Sequence, residues 1–216
     1  KGAEMQEDIE KHADLVEIAE EVERLTAELR DSSLEMRMLP IGTTFSKFKR
    51  LVRDLSQDLG KNVELVTAGG DTELDKTVIE RLNDPLVHLI RNSIDHGIEM
   101  PQERRAAGKP ESGTVRLAAE HSGDSVILEI QDDGKGLNRD AILAKAVEKG
   151  LIAADAQLRD SEVFELIFAP GFSTAQSVTS VSGRGVGMDV VKRAIEALRG
   201  TITIASDAGK GSTIRI

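Results

Sequence analysis

Between residues 180 and 198 the chain reads SVSGRGVGMDVVKRAIEAL. Three glycines at alternate positions, Gly183, Gly185 and Gly187, run directly into a stretch with the apolar spacing of an amphipathic helix. The first N–H groups of a helix have no partner within it, and the positive end of the helix dipole faces the same way. Backbone without side chains at that point lets a bulky anion such as a phosphate approach. A plain flexible loop would use the same glycines, so the feature acquires meaning only with partners elsewhere in the chain. Two familiar nucleotide signatures are absent: no Gly-Lys-Ser/Thr occurs, which excludes a P-loop, and the Gly-x-Gly-x-Gly spacing is not that of the dinucleotide fingerprint.

The surrounding chain alternates helices with hairpins. Leu15, Ile18, Val22, Leu25 and Leu29 recur at steps of three and four in an N-terminal arm that no glycine or proline interrupts from Ala3 to Leu39. One long surface helix packed on its own domain would account for that seam; its charged surroundings favour a bundle or coiled coil, and so dimerisation. Pro40 ends the arm. Phe45, Phe48, Leu51, Val52, Leu55 and Leu59 then make a helical face closed by Gly60, and NVELV reads as a strand. Residues 75–83 and 85–96 read as a helix interrupted or restarted at Pro85 and ending at Gly97. GTVRLAAEH and DSVILEIQ flank SGD as a hairpin with Val115, Leu117, Val126, Leu128 and Ile130 on one face. Asn138 caps a helix to Lys149, another runs from Asp160 to Phe168, and a third from Gly187 to Gly200, before TITIAS and STIRI pair around DAGKG. Helices mixed with antiparallel hairpins and few βαβ units predict an α/β fold, a two-layer α/β sandwich preceded by a long N-terminal helix. Residues 169–185, APGFSTAQSVTSVSGRG, show neither period, and a loop of that length reads as a lid.

Two further motifs stand beside the glycines. DDGKGL follows a strand and offers a carboxylate, Asp132, with Gly134 and Gly136 leaving room for a flat ring; an ordinary Asp-Gly turn is the plainer reading. In HLIRNSIDHG, His88, Asn92 and His96 fall at i, i+4 and i+8 on one stripe while Val87, Ile90 and Ile94 cover the other side. Such a stripe is either a hydrogen-bonding face or a solvated one.

Charge and composition narrow the classes. A net charge of −10 argues against nucleic acid, which calls for a basic stripe. The first 37 residues hold twelve acids and five bases, so most of the acidity belongs to the arm. The absence of cysteine removes disulfides and thiolate metal sites, and the four histidines lack zinc-ligand spacing. No apolar run approaches the roughly 20 residues of a membrane span, and no signal-peptide pattern opens the sequence, so a soluble, cytoplasmic protein is expected.

In this order, an N box, an Asp-x-Gly-x-Gly box, a lid and a Gly-x-Gly-x-Gly box resemble the superfamily of gyrase, Hsp90, MutL and the histidine kinases, whose nucleotide domain is the Bergerat fold. RMLPI, GDTELDKTVIERLNDPLVHLIRNSIDHGIE, DDGKGL, PGFST and VSGRGVGMDVVK resemble more narrowly the CheA family of chemotaxis histidine kinases, over essentially all of residues 34–216. The arm matches in pattern only. The resemblance implies an ATP-binding kinase domain over 38–216, preceded by a helix of a dimerisation hairpin over 1–37. It implies transfer of the γ-phosphoryl of ATP to a histidine on a separate phosphotransfer domain. None of the chain's histidines, including His12 in IEKHADL, sits in the setting of an acceptor.

Roles follow by the same resemblance. Asp132 accepts from the adenine N6 amine with Gly134 and Gly136 beside it, which favours ATP over GTP. Asn92 holds Mg2+, and Arg91, His96 and Lys145 lie near the phosphates. Gly183, Gly185 and Gly187 wrap them, and Asp95, Ser173, Arg184, Val186 and Met188 belong to the same motifs. Ser212 stands where relatives often place a threonine that reaches adenine through water. His88 stands where ATP-hydrolysing relatives carry a glutamate, and is a candidate base. Ala141 and Ala175 replace lysines of some relatives, which implies a weaker grip on phosphate and lid. The implied partners are the phosphotransfer domain, a second copy through the arm, and a coupling protein and chemoreceptors reached through a regulatory domain that does not follow STIRI. A nucleotide-gated dimerisation switch and a self-contained ATPase of the gyrase type are the alternatives.

Overall fold

The structure is a computed structural model that describes residues 2–35, 37–172 and 187–216, with side chains of the first helix from 15 to 33. It divides into two compact units, Lys1–Leu39 and Pro40–Ile216. The first consists chiefly of α1 (Gly2–Glu35), a 34-residue helix about 50 Å long at 1.5 Å per residue. Its seam is open: Leu15, Ile18, Val22, Leu25 and Leu29 are 62%, 60%, 56%, 50% and 72% exposed. Arg24 pairs with Glu21 and Glu28, one turn to either side. A short strand, β1 (Met38–Pro40), spans the boundary.

The second unit runs α2 (Gly42–Asp58), β2 (Val63–Ala68), β3 (Glu73–Asp75), α3 (Lys76–Asn92), a π-turn (Ser93–Gly97), α4 (Pro101–Ala106), β4 (Gly113–Ser122), β5 (Ser125–Asp132), α5 (Arg139–Glu148), α6 (Asp160–Glu165) with a 3-10 turn (Leu166–Phe168), α7 (Met188–Ala197), β6 (Thr203–Asp207) and β7 (Gly211–Arg215). Five strands form one sheet in the order β2-β4-β5-β7-β6. β2 and β4 are parallel, with α3 in the connection between them, and the other pairs are antiparallel. The register sets Leu117 opposite Ile130, Ala119 opposite Leu128, Ile130 opposite Ile214 and Ile214 opposite Ile204. These residues are all buried and make the inner face of the sheet. Against it α2 buries Phe45, Phe48, Val52 and Leu55, α3 buries Leu82, Leu86, Leu89 and Ile90, and α7 buries Val191 and Ile195. The result is a two-layer α/β sandwich. Among the described residues no helix is long and apolar enough to cross a membrane.

One sequence expectation needs correction. α3 is not interrupted at Pro85 but runs through it. A proline inside a helix forfeits one hydrogen bond and crowds the carbonyl four residues back, at about 3 kcal/mol. Leu82 before it and Leu86, Leu89 and Ile90 after it are all buried, and their packing offsets that loss. The helix changes its winding only at Asn92. In the β4–β5 hairpin, Val126 packs on the same face as expected, partly buried against the core formed by Val115, Leu117, Leu128 and Ile130.

Truncation of the central row tests this core. Leu117→Ala should lower unfolding free energy in urea by about 2–5 kcal/mol, as expected for a fully buried leucine. An unchanged midpoint would contradict the packing described.

Candidate functional site

Side chains alternate along β5, so Leu128, Ile130 and Asp132 share the inner face, and the last of the row is a carboxylate. Asp132 is only 6% exposed. Its partner in the register is Ser212 of β7. The Gly134 amide donates to its carboxylate at 3.0 Å, and the Ser212 amide and the Ser93 hydroxyl face it. Burial raises its pKa above the ordinary carboxylate value, the donors oppose the rise, and the adjacent charge of Asp133 adds to it. A carboxylate has about four lone-pair sites, so beyond the Gly134 amide it has capacity to accept further donors.

The loop after Asp132 is shaped by backbone packing. A Cβ on Gly134 would lie 2.1 Å from the Gly97 carbonyl oxygen, and Gly136 combines a φ of +74° with an Asp207 carbonyl 2.4 Å from where its Cβ would be. These two glycines are therefore required by their protein neighbours, a reason different from room for a ring. The Lys135 amide donates to Gly97 at 3.0 Å, and the Leu137 amide donates to the Ser206 hydroxyl at 2.8 Å. Ser206 and Ser212 share a further hydrogen bond of 3.0 Å between their hydroxyls.

At the end of α3 the winding widens. The Ile98 amide bonds to Ser93 five residues back at 2.8 Å, the mark of a π-turn, which often occurs at functional sites. The wider turn takes His96 off the α-helical stripe that His88 and Asn92 define, so the expected i, i+4, i+8 alignment holds only for its first two members. Ser93, still on the α-helical track of α3, faces inward beneath Asp132 and is 6% exposed, and the turn leaves Asp95 and His96 exposed. Lys61 caps the turn, its Nζ donating to the carbonyls of Ile94 at 2.8 Å and Asp95 at 2.6 Å. His88 is half-buried, and burial lowers its pKa, with the charges of Arg91 and His96 acting in the same direction.

Asn92 connects this region to α7. Its Nδ2 donates to the Met188 sulfur at 3.1 Å, across 96 positions of sequence. Among the described residues its oxygen carries no hydrogen bond, which suits an oxygen ligand for a hard cation such as Mg2+. Gly187 caps α7 with extended backbone and no side-chain bond. On α5, Lys145 lies 5.7 Å from the centre of the Phe172 ring, and Lys149 donates to the Gly171 carbonyl. Ser173, Gly183, Arg184, Gly185 and Val186, with most of the expected lid, lie outside the described residues. Of the remaining predicted residues, His88, Arg91 and Asn92 share the last turns of α3, Asn92 meets Met188, and Asp132 meets Gly134 and Ser212. Sequence reasoning missed Ser93 and Gly97. Both lie within NSIDHG; Ser93 closes the α-helical track of α3, and the change of winding after it brings Gly97 to the Asp132 loop.

Comparison with known proteins accords with this geometry. Residues 80–216 match the family described as histidine kinase-, DNA gyrase B- and HSP90-like ATPase. The chain belongs to that family. Within it, the chain is 56% identical over 205 residues to the chemotaxis protein CheA of Klebsiella aerogenes and 51% identical over 208 residues to that of Bacillus subtilis. These alignments cover 95% of this chain and 31% of each relative. It is also 50% identical to the sensor histidine kinase CheAY of Helicobacter pylori, over 94% of this chain and 26% of that one. The chain thus spans about a third or less of the curated relatives it matches. The fold is shared with the catalytic domain of the histidine kinase ThkA in a nucleotide-free form, with a TM-score of 0.51 and 15% identity over 82% of this chain and 90% of that one.

His88 should titrate below the ordinary imidazole value of about 6.5. Because its folded value is the lower one, the unfolded chain binds the proton first as pH falls. The stability contribution of His88 is therefore lost as pH drops through about 6.5 and the loss levels off below the folded value. A 15N-edited titration of the imidazole checks this, and a midpoint at or above 6.5 would contradict the burial argument.

Proposed function

We propose that this chain is the ATP-binding catalytic portion of a chemotaxis histidine kinase and transfers the γ-phosphoryl of ATP to a histidine on a separate phosphotransfer domain. The observation that carries the reading is the buried Asp132 carboxylate with accepting capacity to spare, beside the end of α3. An adenine amine is a donor that satisfies it, whereas the oxo group of guanine would set acceptor against acceptor. A hydrogen bond to a charged partner contributes about 1.5–3 kcal/mol. Gly134, Gly136 and Ser212 hold that end of the site in shape, while Arg91, His96 and Lys145, with Asp95 and Met188, belong to its phosphate side. Gly183 through Gly187 and Ser173 would complete that side.

Asn92 would hold Mg2+, which when bound offsets charge on the phosphates. In the transfer, the bond between the γ-phosphorus and its bridging oxygen breaks, ADP leaves, and a bond forms from the γ-phosphorus to the acceptor imidazole nitrogen. The acceptor's proton passes to a base. His88, kept neutral by burial, has a free lone pair at neutral pH to receive it or to orient the incoming ring. Most of the acceleration in phosphoryl transfer comes from positioning and charge stabilisation, so the share of His88 is modest beside that of the nucleotide contacts.

The experiment combines binding with transfer. The parent should bind Mg2+–ATP in calorimetry; Asp132→Asn should weaken it by about tenfold or more, the loss of one charged contact, and Asn92→Asp should weaken it by setting a carboxylate against the phosphates. With labelled ATP the chain alone should stay unlabelled, and an added phosphotransfer domain should become labelled, except with His88→Ala or Asn92→Asp. Variants that bind like the parent would refute the site. Binding without transfer to a competent acceptor would favour a nucleotide-gated switch, and release of phosphate without an acceptor a self-contained ATPase.

We infer also that the open seam of α1 pairs with a second copy of the chain, and that coupling protein and receptors engage a regulatory domain outside this sequence. One exposed helix supports only a weak dimer. Light scattering should show association with rising concentration, lost when Val22 and Leu25 are both changed to Glu; an unchanged mass distribution would refute it.

A further inference from the structure

Behind the loop that carries Asp132 lies an ionic cluster whose two cations none of the nucleotide motifs includes. Arg104 of α4 is fully buried. Each of its five N–H donors has an acceptor: Nε the Pro110 carbonyl at 2.7 Å, Nη1 Glu99 at 3.0 Å and the Asp133 carbonyl at 3.1 Å, and Nη2 the Asp133 carboxylate at 2.9 Å and the Ser112 carbonyl at 3.4 Å. Lys109 spends its three donors on Glu99 at 2.7 Å, the Asp133 carbonyl at 2.9 Å and the Gly134 carbonyl at 2.7 Å. Two cations and two anions, Glu99 and Asp133, balance, so the charge is compensated where it is desolvated.

The targets on the loop are two consecutive backbone carbonyls. A trans peptide is planar, so its C=O and N–H point in opposite directions. In the peptide joining Asp133 to Gly134, Arg104 and Lys109 hold the oxygen, and the N–H on the far side donates to the Asp132 carboxylate at 3.0 Å. In the next peptide Lys109 holds the oxygen of Gly134, and the N–H of Lys135 donates to Gly97 at 3.0 Å. The cluster thus grips both planes from behind and aims their donors at the site. Asp133 reinforces the grip, its Oδ1 accepting from the Thr114 amide at 2.8 Å.

We propose that Lys109 and Arg104 are positioning residues for base recognition: through the planar peptides after Asp133 they set the orientation of the Asp132 carboxylate and so the preference for an amino over an oxo purine. The inference rests on the nucleotide reading above and adds residues that touch no nucleotide. It separates base selection from phosphate binding, because the cluster acts on the Asp132 loop and makes no bond to α3 or α7.

Lys109→Met in the full chain is the informative variant, since Arg104→Met would replace a fully buried guanidinium that satisfies five acceptors and test folding instead. Calorimetry with ATP and with GTP, melting temperature, and amide hydrogen exchange are the readouts. Lys109→Met should bind ATP about tenfold more weakly, the loss of one oriented charged contact, with GTP binding unchanged. The Gly134 and Lys135 amides should exchange faster, while the amides of β4 keep their protection. Lys109→Gln, which retains one donor pair, should lie between parent and Lys109→Met, and carries the same comparison should the latter fail to fold. Equal loss of ATP and GTP, or a lower melting temperature with an unchanged ATP-to-GTP ratio, would overturn the inference while leaving the nucleotide reading standing. A parent chain that binds neither nucleotide would overturn that reading and this inference with it.

Discussion

A strand that has placed Leu128 and Ile130 on its inner face would ordinarily place a third apolar residue after them, and β5 places Asp132 there. Most of the candidate site is the consequence. Desolvating a carboxylate costs several kcal/mol unless donors compensate it. The donors come from three separate elements: the loop after β5, the register partner on β7, and the π-turn after α3. To bring them within hydrogen-bonding distance, backbone must approach backbone more closely than a Cβ permits at Gly134, which abuts Gly97. Among the described residues no buried side-chain nitrogen or oxygen lacks a partner, so the site is compensated throughout.

The π-turn is the second consequence. Had α3 continued with its α-helical winding past Ser93, the Gly97 carbonyl would not meet the Lys135 amide. The wider turn is held from both sides, by Lys61 on its carbonyls and by Ile94 and Ile98 buried beneath it. Asn92 sits where the winding changes, and its amide meets Met188 at the start of α7. The three motifs, far apart in the chain, are thus joined by direct hydrogen bonds: Ser93 and Gly97 to the Asp132 loop, and Asn92 to α7. Ions deeper in the unit serve the same end, since Arg104 and Lys109 spend all eight of their donors on Glu99 and on the segments bordering that loop.

Local chemistry accounts for what could be read in advance. Helix faces such as Phe45 to Leu55 and the alternating rows of β4 and β5 follow from periods of about 3.6 and 2 residues, which any reader of the sequence can count. Asn138 is legible as a cap because its side chain bonds an amide three residues on, and it does so to Ala141 at 3.0 Å. Asp132, His88 and Asn92 were legible because they stand in short motifs. Continuous α3 through Pro85 was not, since proline's local preference is outweighed by burial of Leu86, Leu89 and Ile90. Ser93, Gly97, Arg104 and Lys109 were illegible for a different reason: their partners on the Asp132 loop lie 24 to 39 positions away, and several are backbone carbonyls, which carry no residue identity.

The sequence by itself determined the elements, the two-layer class, the family and the residues available for chemistry, because these depend on contacts within a few positions or on motifs that are local strings. Tertiary structure alone decided how Asp132 is satisfied, where α3 changes its winding, and which cations stand behind the Asp133 and Gly134 carbonyls. These depend on the register of β5 against β7 and on the direction in which each peptide plane faces once the sheet and helices have packed. A peptide plane has no side chain to announce its direction, so only the folded chain shows it.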